Sequence, residues 1–425
     1  MDLIIRNGNL PDGRVGIDIG IKGDRIAAVE PRLQAKAGRE IDGTGRLISP
    51  PFVEAHFHLD SVLSLGLPRY NESGTLLEGI RVWSELKPRL TADAIIERAL
   101  KFCDWAVARG TLAMRSHVDI CDPRLLAVDA LIEVRRKVKP YLDLQLVAFP
   151  QDGYYRSPSA AKLLEAALDR GVDVVGGIPH FERTMAEGAA SVRALCEIAA
   201  KRGLMVDMHC DETDDPMSRQ VESLAFETVR LGLQGRVTGS HLTSMHSMDN
   251  YYASKLLALM AEARLNAIAN PLINITLQGR HDSYPKRRGM TRVPELLAAG
   301  VNVAFASDCA LDPWYALGSG DLLEVAHMGL HVAQMTSRAA MRAAFAAVTE
   351  NPARILGLEG YGLAPGCFAD LVVLQAPDPI EALRLKATRL QVIRRGKVIA
   401  ETPANLARLD LPERPHELEF NWHHN

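Results

Sequence analysis

A chain of 425 residues with 47% hydrophobic and 24% charged residues can bury a large core, as one big domain with an appendage or as two to three domains. Its net charge of −3 provides no basic field for a nucleic-acid backbone. No apolar run reaches the roughly 18 residues that a membrane span needs.

The N-terminus, Met1-Asp2-Leu3-Ile4-Ile5-Arg6-Asn7-Gly8, has no charged segment leading into a long apolar stretch, so no secretory leader is expected. Short strands are expected over residues 3–5, 16–21 and 25–29, separated by the turns Pro11-Asp12-Gly13 and Lys22-Gly23-Asp24. From residue 52 a strand-then-helix rhythm takes over. Its candidate strands are 52–57, 112–118, 144–149, 172–178, 204–208, 237–241, 266–269 and 301–306, with helical stretches such as 160–169, 190–201 and 293–299 between them. Apolar strands alternating with helices indicate parallel βαβ units, and eight of them predict a (β/α)8 barrel of the TIM type over residues 50–355. An open doubly wound sheet is the alternative, but no Gly-x-Gly-x-x-Gly follows an early strand.

The short-strand texture returns near the C-terminus. Residues 369–374 read as one strand and 390–399 as a hairpin. Residues 1–49 and 356–425 are therefore expected to form one small β-sandwich domain built from both chain ends. The six cysteines, Cys103, Cys121, Cys196, Cys210, Cys309 and Cys367, lie far apart without paired spacing. Reduced thiols and a cytoplasmic location are the expectation.

In such a barrel the chemistry gathers where strands end. The first candidate strand ends in His56-Phe57-His58, two imidazoles on one side of an extended segment. That pair alone is a weak signal, equally compatible with a polar strand end. The third strand ends in Gln151, the fifth in His209-Cys210-Asp211-Glu212, the sixth in His241 and the eighth in Asp308-Cys309. Imidazoles and a carboxylate around one mouth suit metal-assisted hydrolysis, in which a divalent ion lowers the pKa of water. Glu212 is the best-placed proton shuttle. Asp308 could bind metal or orient the nucleophile, and His241 could hydrogen-bond the attacking water.

Pro-Phe-Val-Glu-Ala-His-Phe-His-Leu-Asp, His-Cys-Asp-Glu, Gly-Ser-His and Ser-Asp, in this order, resemble the amidohydrolase superfamily, and most closely its bacterial cytosine deaminase branch. The resemblance extends to Val147-Ala148-Phe149-Pro150-Gln151, Ile178-Pro179-His180-Phe181-Glu182, Tyr284-Pro285-Lys286-Arg287-Arg288-Gly289 and Asp312-Pro313-Trp314-Tyr315. It implies one metal ion, iron(II) or zinc, held by His56, His58, His209 and Asp308. It further implies that Glu212 relays protons, His241 positions the hydroxide and Gln151 reads the pyrimidine edge. No lysine ends the fourth candidate strand, which argues against the two-metal arrangement of hydantoinases and dihydroorotases. A homo-oligomer acting on a free nucleobase, with no nucleic-acid polymer and no membrane as partner, is also implied.

One departure bears on substrate. The branch usually carries a second aspartate after the metal-binding one, where this chain has Cys309. A small, mostly apolar thiol in place of a carboxylate would receive a C5 methyl, so 5-methylcytosine is the expected substrate, with residual cytosine activity. Alternatives are cytosine, isocytosine, isoguanine or creatinine deamination, a cyclic-amide hydrolase, or a non-catalytic relative. Cys309 could otherwise pack beneath the metal site or add a soft ligand, and Gln151 could cap a loop. Trp314 is expected to close the pocket. Asp211, Asp214, His117, His180 and His246 are expected to be structural or to support the ligands.

Overall fold

The computed structural model describes residues 1–422; the last residues of the expected small domain, 423–425, lie outside the described residues. β1 (Leu3–Gly8), β2 (Ile17–Lys22), β3 (Arg25–Glu30) and β4 (Arg39–Asp42) form a sheet in the order β3-β2-β1-β4. β5 (Leu47–Ser49) leaves that sheet and pairs antiparallel with β14 (Leu371–Leu374), which continues into β15 (Arg389–Arg394) and β16 (Lys397–Glu401). The two sheets share a core in which Ile5, Ile19, Ile21 and Ile41 meet Leu371, Val373 and Ile393. Both ends of the chain thus build one sandwich, with inward residues alternating as the pleat requires. The helix Pro379–Leu385 departs from it and packs on the helices Leu322–Val332 and Arg338–Ala346, burying Ala382 and Leu383.

The larger layer is an eight-stranded parallel sheet nearly closed into a barrel. Its strands are β6 (Phe52–Phe57), β7 (Thr111–Asp119), β8 (Asp143–Phe149), β9 (Val174–Gly177), β10 (Met205–Cys210), β11 (Val237–His241), β12 (Asn266–Ala269) and β13 (Asn302–Phe305), each hydrogen-bonded to the next. All eight begin and end within a few residues of the sequence expectation. The expected helix from residue 190 instead begins at Met185, because Thr184 Oγ1 accepts the Glu187 amide (3.1 Å) and caps it.

The first and last strands meet at a seam with sparse pairing. At its lower end a turn stands between them: Val53 N donates to Val348 O (3.1 Å) and Phe305 N to Ala347 O (2.8 Å). Higher up, the buried Glu54 carboxylate accepts Ser307 N at 3.1 and 3.2 Å. At the mouth, Asp308 N donates to His56 O (2.9 Å) and His58 N to Asp308 O (3.1 Å). The barrel closes on the residues singled out as metal ligands. No helix among the described residues is long and apolar enough to cross a membrane.

Candidate active site

His56, His209, His241 and Asp308, all buried, each bring a donor atom into one cluster whose atoms lie within 4.8 Å of one another. His58 joins it, with Nε2 3.0 Å from His209 Nε2 and 3.3 Å from Asp308 Oδ1. His241 and Asp308 hold left-handed backbone, with φ of 72° and 67°. Such conformations cost about 1–3 kcal/mol at non-glycine residues and persist where the surroundings enforce them.

A relay inside the barrel fixes the tautomer of His56. Arg115, fully buried, pairs with Asp207 Oδ2 at 2.9 Å. Asp207 Oδ1 accepts the Ser240 hydroxyl proton (2.7 Å), so Ser240 Oγ accepts from His56 Nδ1 (2.9 Å). An imidazole that donates from Nδ1 carries its lone pair on Nε2. That atom lies 3.1 Å from Asp308 Oδ1, and both are buried without a hydrogen-bond partner. Two facing acceptors with no proton between them require a cation. Imidazoles plus a carboxylate fit a borderline divalent ion.

His241 is held differently. Asn274 Oδ1 accepts Asn270 N (3.1 Å), which turns the Asn274 amide NH2 toward His241 Nδ1 at 3.0 Å; Asn270 Nδ2 is at 3.2 Å. Nδ1 is therefore the acceptor, and Nε2 carries the proton. That unpartnered Nε2–H is a donor and not a lone pair. On the other side of the ring, Glu212 Oε1 lies 3.4 Å from Nδ1.

The two carboxylates of the site are pushed apart. Burial, reinforced by the charge of Asp308, raises Glu212 well above the usual carboxylate range. Burial also works to raise Asp308, but the neighbouring imidazoles, His241 foremost, hold it well below. Their surroundings thus favour a proton on Glu212 and a charge on Asp308, the division that acid–base chemistry needs.

Gln151, Cys309 and Trp314 line one pocket together with His58, His209, Glu212 and Asp308. The Gln151 loop is anchored by Glu182, whose carboxylate accepts the amides of Tyr154 (2.6 Å), Tyr155 (3.1 Å) and Arg156 (2.9 Å). The Trp314 indole seats on the helix Leu76–Leu86 at Gly79, where a Cβ would come within 2.4 Å of the ring. Four apolar wall residues, Leu76, Ile80, Ile178 and Leu277, escape sequence reasoning because they look like any core residue. Ser240, Asn270 and Asn274 escape it because their residue types carry no metal signal.

The remaining polar candidates have structural positions. Asp211 accepts Ser218 Oγ (2.6 Å) and the amides of Gln220 (3.0 Å) and Val221 (2.8 Å), opening the helix Gln220–Arg230. Asp214 accepts Gly279 N at 2.7 Å. His117 packs on His56 with ring centroids 4.1 Å apart, and burial above all lowers it to about 3. His180 Nδ1 donates to His209 O (3.2 Å), while His246 lines a separate cleft with Arg287 and Arg292. In the basic run, Lys286 donates to Gly279 O (2.9 Å) and Arg287 pairs with Asp282 (2.6 Å), folding their own loop. All six cysteines are free.

A model described as the amidohydrolase family matches residues 39–400. The chain is similar to the crystal structure of 5-methylcytosine deaminase from Klebsiella pneumoniae liganded with phosphonocytosine: 43% identity, TM-score 0.93, covering 96% of this chain and 100% of that one. Among curated proteins, it is 30% identical to N-isopropylammelide isopropyl amidohydrolase of Pseudomonas sp. (strain ADP), over 94% of this chain and 97% of that protein. It is 31% identical to pterin deaminase of Rhizobium rhizogenes (strain K84 / ATCC BAA-868), over 95% of this chain and 92% of that protein.

Proposed function

Because the chain belongs to the amidohydrolase family and is an aminohydrolase acting on C–N bonds, we propose that it deaminates free 5-methylcytosine to thymine and ammonia, with weaker activity on cytosine. The observation that carries this reading is Cys309 in the pocket wall beside Glu212, Gln151 and Trp314, where the sequence resemblance leads one to expect a carboxylate. The similarity to the Klebsiella pneumoniae 5-methylcytosine deaminase supports it.

His56, His58, His209 and Asp308 would hold one divalent ion, iron(II) or zinc, with half of its charge offset by Asp308. When bound, the ion supplies Lewis acidity that makes a water a nucleophile near neutral pH. The chain's own groups do the rest. His241 donates its Nε2–H to the attacking oxygen and orients it toward C4 of the ring. The proton that Glu212 holds, drawn from the activated water, goes to the ring nitrogen; Glu212 then takes the remaining hydroxyl proton and passes it to the amine, which leaves as ammonia. Gln151 pairs its amide with the carbonyl and N–H edge of the base. Cys309 receives the C5 methyl on a polarisable sulfur, and Trp314 covers the ring. The substrate is a free base, since the net charge of −3 gives a polymer no electrostatic hold.

Steady-state rates on 5-methylcytosine, cytosine and isocytosine test the proposal. One methyl is worth about 10- to 200-fold in discrimination. A clear preference for unmethylated cytosine overturns the assignment, as does failure of Cys309→Asp to move the ratio toward cytosine. Pterin belongs in the same panel, and a ring-opened acid in place of ammonia indicates cyclic-amide hydrolysis.

A further inference from the structure

The helix Leu322–Val332 carries His327 and His331, four residues apart and so one above the other on a single face. Their ring centroids are 4.5 Å apart. The opposite face is seated on the barrel at Gly329, where a Cβ would come within 2.8 Å of the Phe305 ring, so the histidine face is held outward. His327 is half-buried and His331 exposed. Both line a cleft, apart from the barrel mouth, that Leu330, Met341, Ile380 and Trp422 also line.

Backbone carbonyls fix both rings. His327 Nδ1 donates to Leu383 O (3.1 Å) and His331 Nδ1 to His327 O (2.7 Å). A carbonyl oxygen can only accept, so each Nδ1 carries a proton and each neutral ring keeps its lone pair on Nε2. Among the described residues the hydrogen bonds of these two rings run through Nδ1, and Nε2 is left to the cleft. An imidazole whose second nitrogen is tied to a carbonyl in this way is oriented as metal-ligating histidines are. At the barrel mouth Ser240 does for His56 what the two carbonyls do here. Arg384, a cation lining the same cleft, is engaged by both oxygens of Glu381 at 2.7 Å, which offsets its charge beside the pair.

We propose that His327 and His331 form a second metal site, which takes a borderline divalent ion such as copper(II), nickel(II) or zinc through their Nε2 atoms. Imidazole suits these ions, whereas harder ions prefer oxygen. His331 lies in the last turn of its helix, where the backbone dipole favours a positive charge. Both ligands stand on one packed helix, so the ion binds without rearrangement of the chain. It ties together two turns of that helix beside their contact with Leu383, where the barrel meets the helix Pro379–Leu385.

Calorimetric titration of zinc chloride into enzyme already loaded at the mouth tests this. A further equivalent should bind, copper(II) should bind more tightly than zinc, and manganese(II) more weakly. His331→Ala removes an exposed ligand and should weaken zinc binding by at least the roughly 10–100-fold that loss of a supporting partner alone costs. Absence of further zinc uptake overturns the proposal, as does uptake that survives His331→Ala unchanged. His423 and His424 follow Trp422 in the sequence, so a chain ending at Trp422 is titrated alongside. It should take up zinc as the parent does; loss of uptake there assigns the ion to the terminal histidines and overturns the proposal.

Copper(II) added to the zinc-loaded enzyme gives a spectroscopic readout. Its electron paramagnetic resonance spectrum should show coupling to imidazole nitrogens, and that signal should vanish in His331→Ala. An oxygen-only spectrum, or a nitrogen signal that the substitution leaves in place, overturns the proposal. None of these readouts depends on which base the enzyme deaminates.

Discussion

The hydroxyl oxygen of Ser240 sits 2.9 Å from Nδ1 of His56 and, having given its own proton to Asp207, can only accept. That single contact decides which ring nitrogen of His56 carries a lone pair. Ser240→Ala should therefore weaken metal binding by about 10- to 100-fold while leaving the fold intact. Competition with a chelator, read as metal retained per chain, checks it; unchanged retention would show that the tautomer is set some other way.

Glu212→Gln keeps the shape of the side chain and removes its capacity to accept and return a proton. Deamination should fall by about 100- to 10,000-fold in kcat with metal content unchanged. A stopped assay for ammonia together with metal analysis separates lost chemistry from lost metal.

Arg115 and Asp207 form an ion pair with both side chains wholly inside the barrel. Arg115→Met leaves the carboxylate buried and uncompensated, and should cost about 3–5 kcal/mol in denaturant unfolding. Pairing it with Asp207→Leu should recover much of that stability, because an apolar pair of similar volume replaces the charges. Metal affinity in the double variant should nevertheless stay low, since the relay to His56 is broken.

Lys87 bridges Asp119 (2.7 Å) and Asp152 (2.9 Å), the residue after Gln151. Burial opposes its charge, but the two carboxylates win and hold the ammonium above its ordinary value of 10.5. A raised lysine stabilises the folded state fully below the unfolded value and progressively less above it. The parent should thus exceed Lys87→Met in stability by about 1–3 kcal/mol near neutral pH. The gap should narrow as the pH climbs past 10.5, and urea unfolding at two pH values measures it.

The barrel was legible because each of its strands is an apolar run bounded by helix or turn signals, and because residues such as His209 and Asp308 stand at the ends of those runs. β4, Arg-Glu-Ile-Asp, was not, since four residues with one apolar side chain carry no period. The pocket walls were half legible. Gln151, Cys309 and Trp314 follow strand ends, whereas Leu76 and Ile80 arrive on a helix in the long connection after β6, whose docking no local pattern encodes. The relay from Arg115 to His56 joins β7, β10, β11 and β6, and such partners separate in sequence until the barrel brings them together. Glu187, three residues past Thr184, was a readable capping signal that placed the helix start five residues before 190.

The seam between β6 and β13 also sets a clock. His58 emerges from the ribosome about 250 residues before Asp308, roughly 12–50 s earlier at ordinary rates of synthesis. Until Asp308 arrives, the early histidines are half of a site on an open-edged sheet. The small domain waits as well, because β5 has no partner before β14 exists. Completion of the ligand set and closure of the barrel are the same event, so the moment at which nascent chains acquire tight metal binding is also the moment at which their first strand ceases to be an exposed edge.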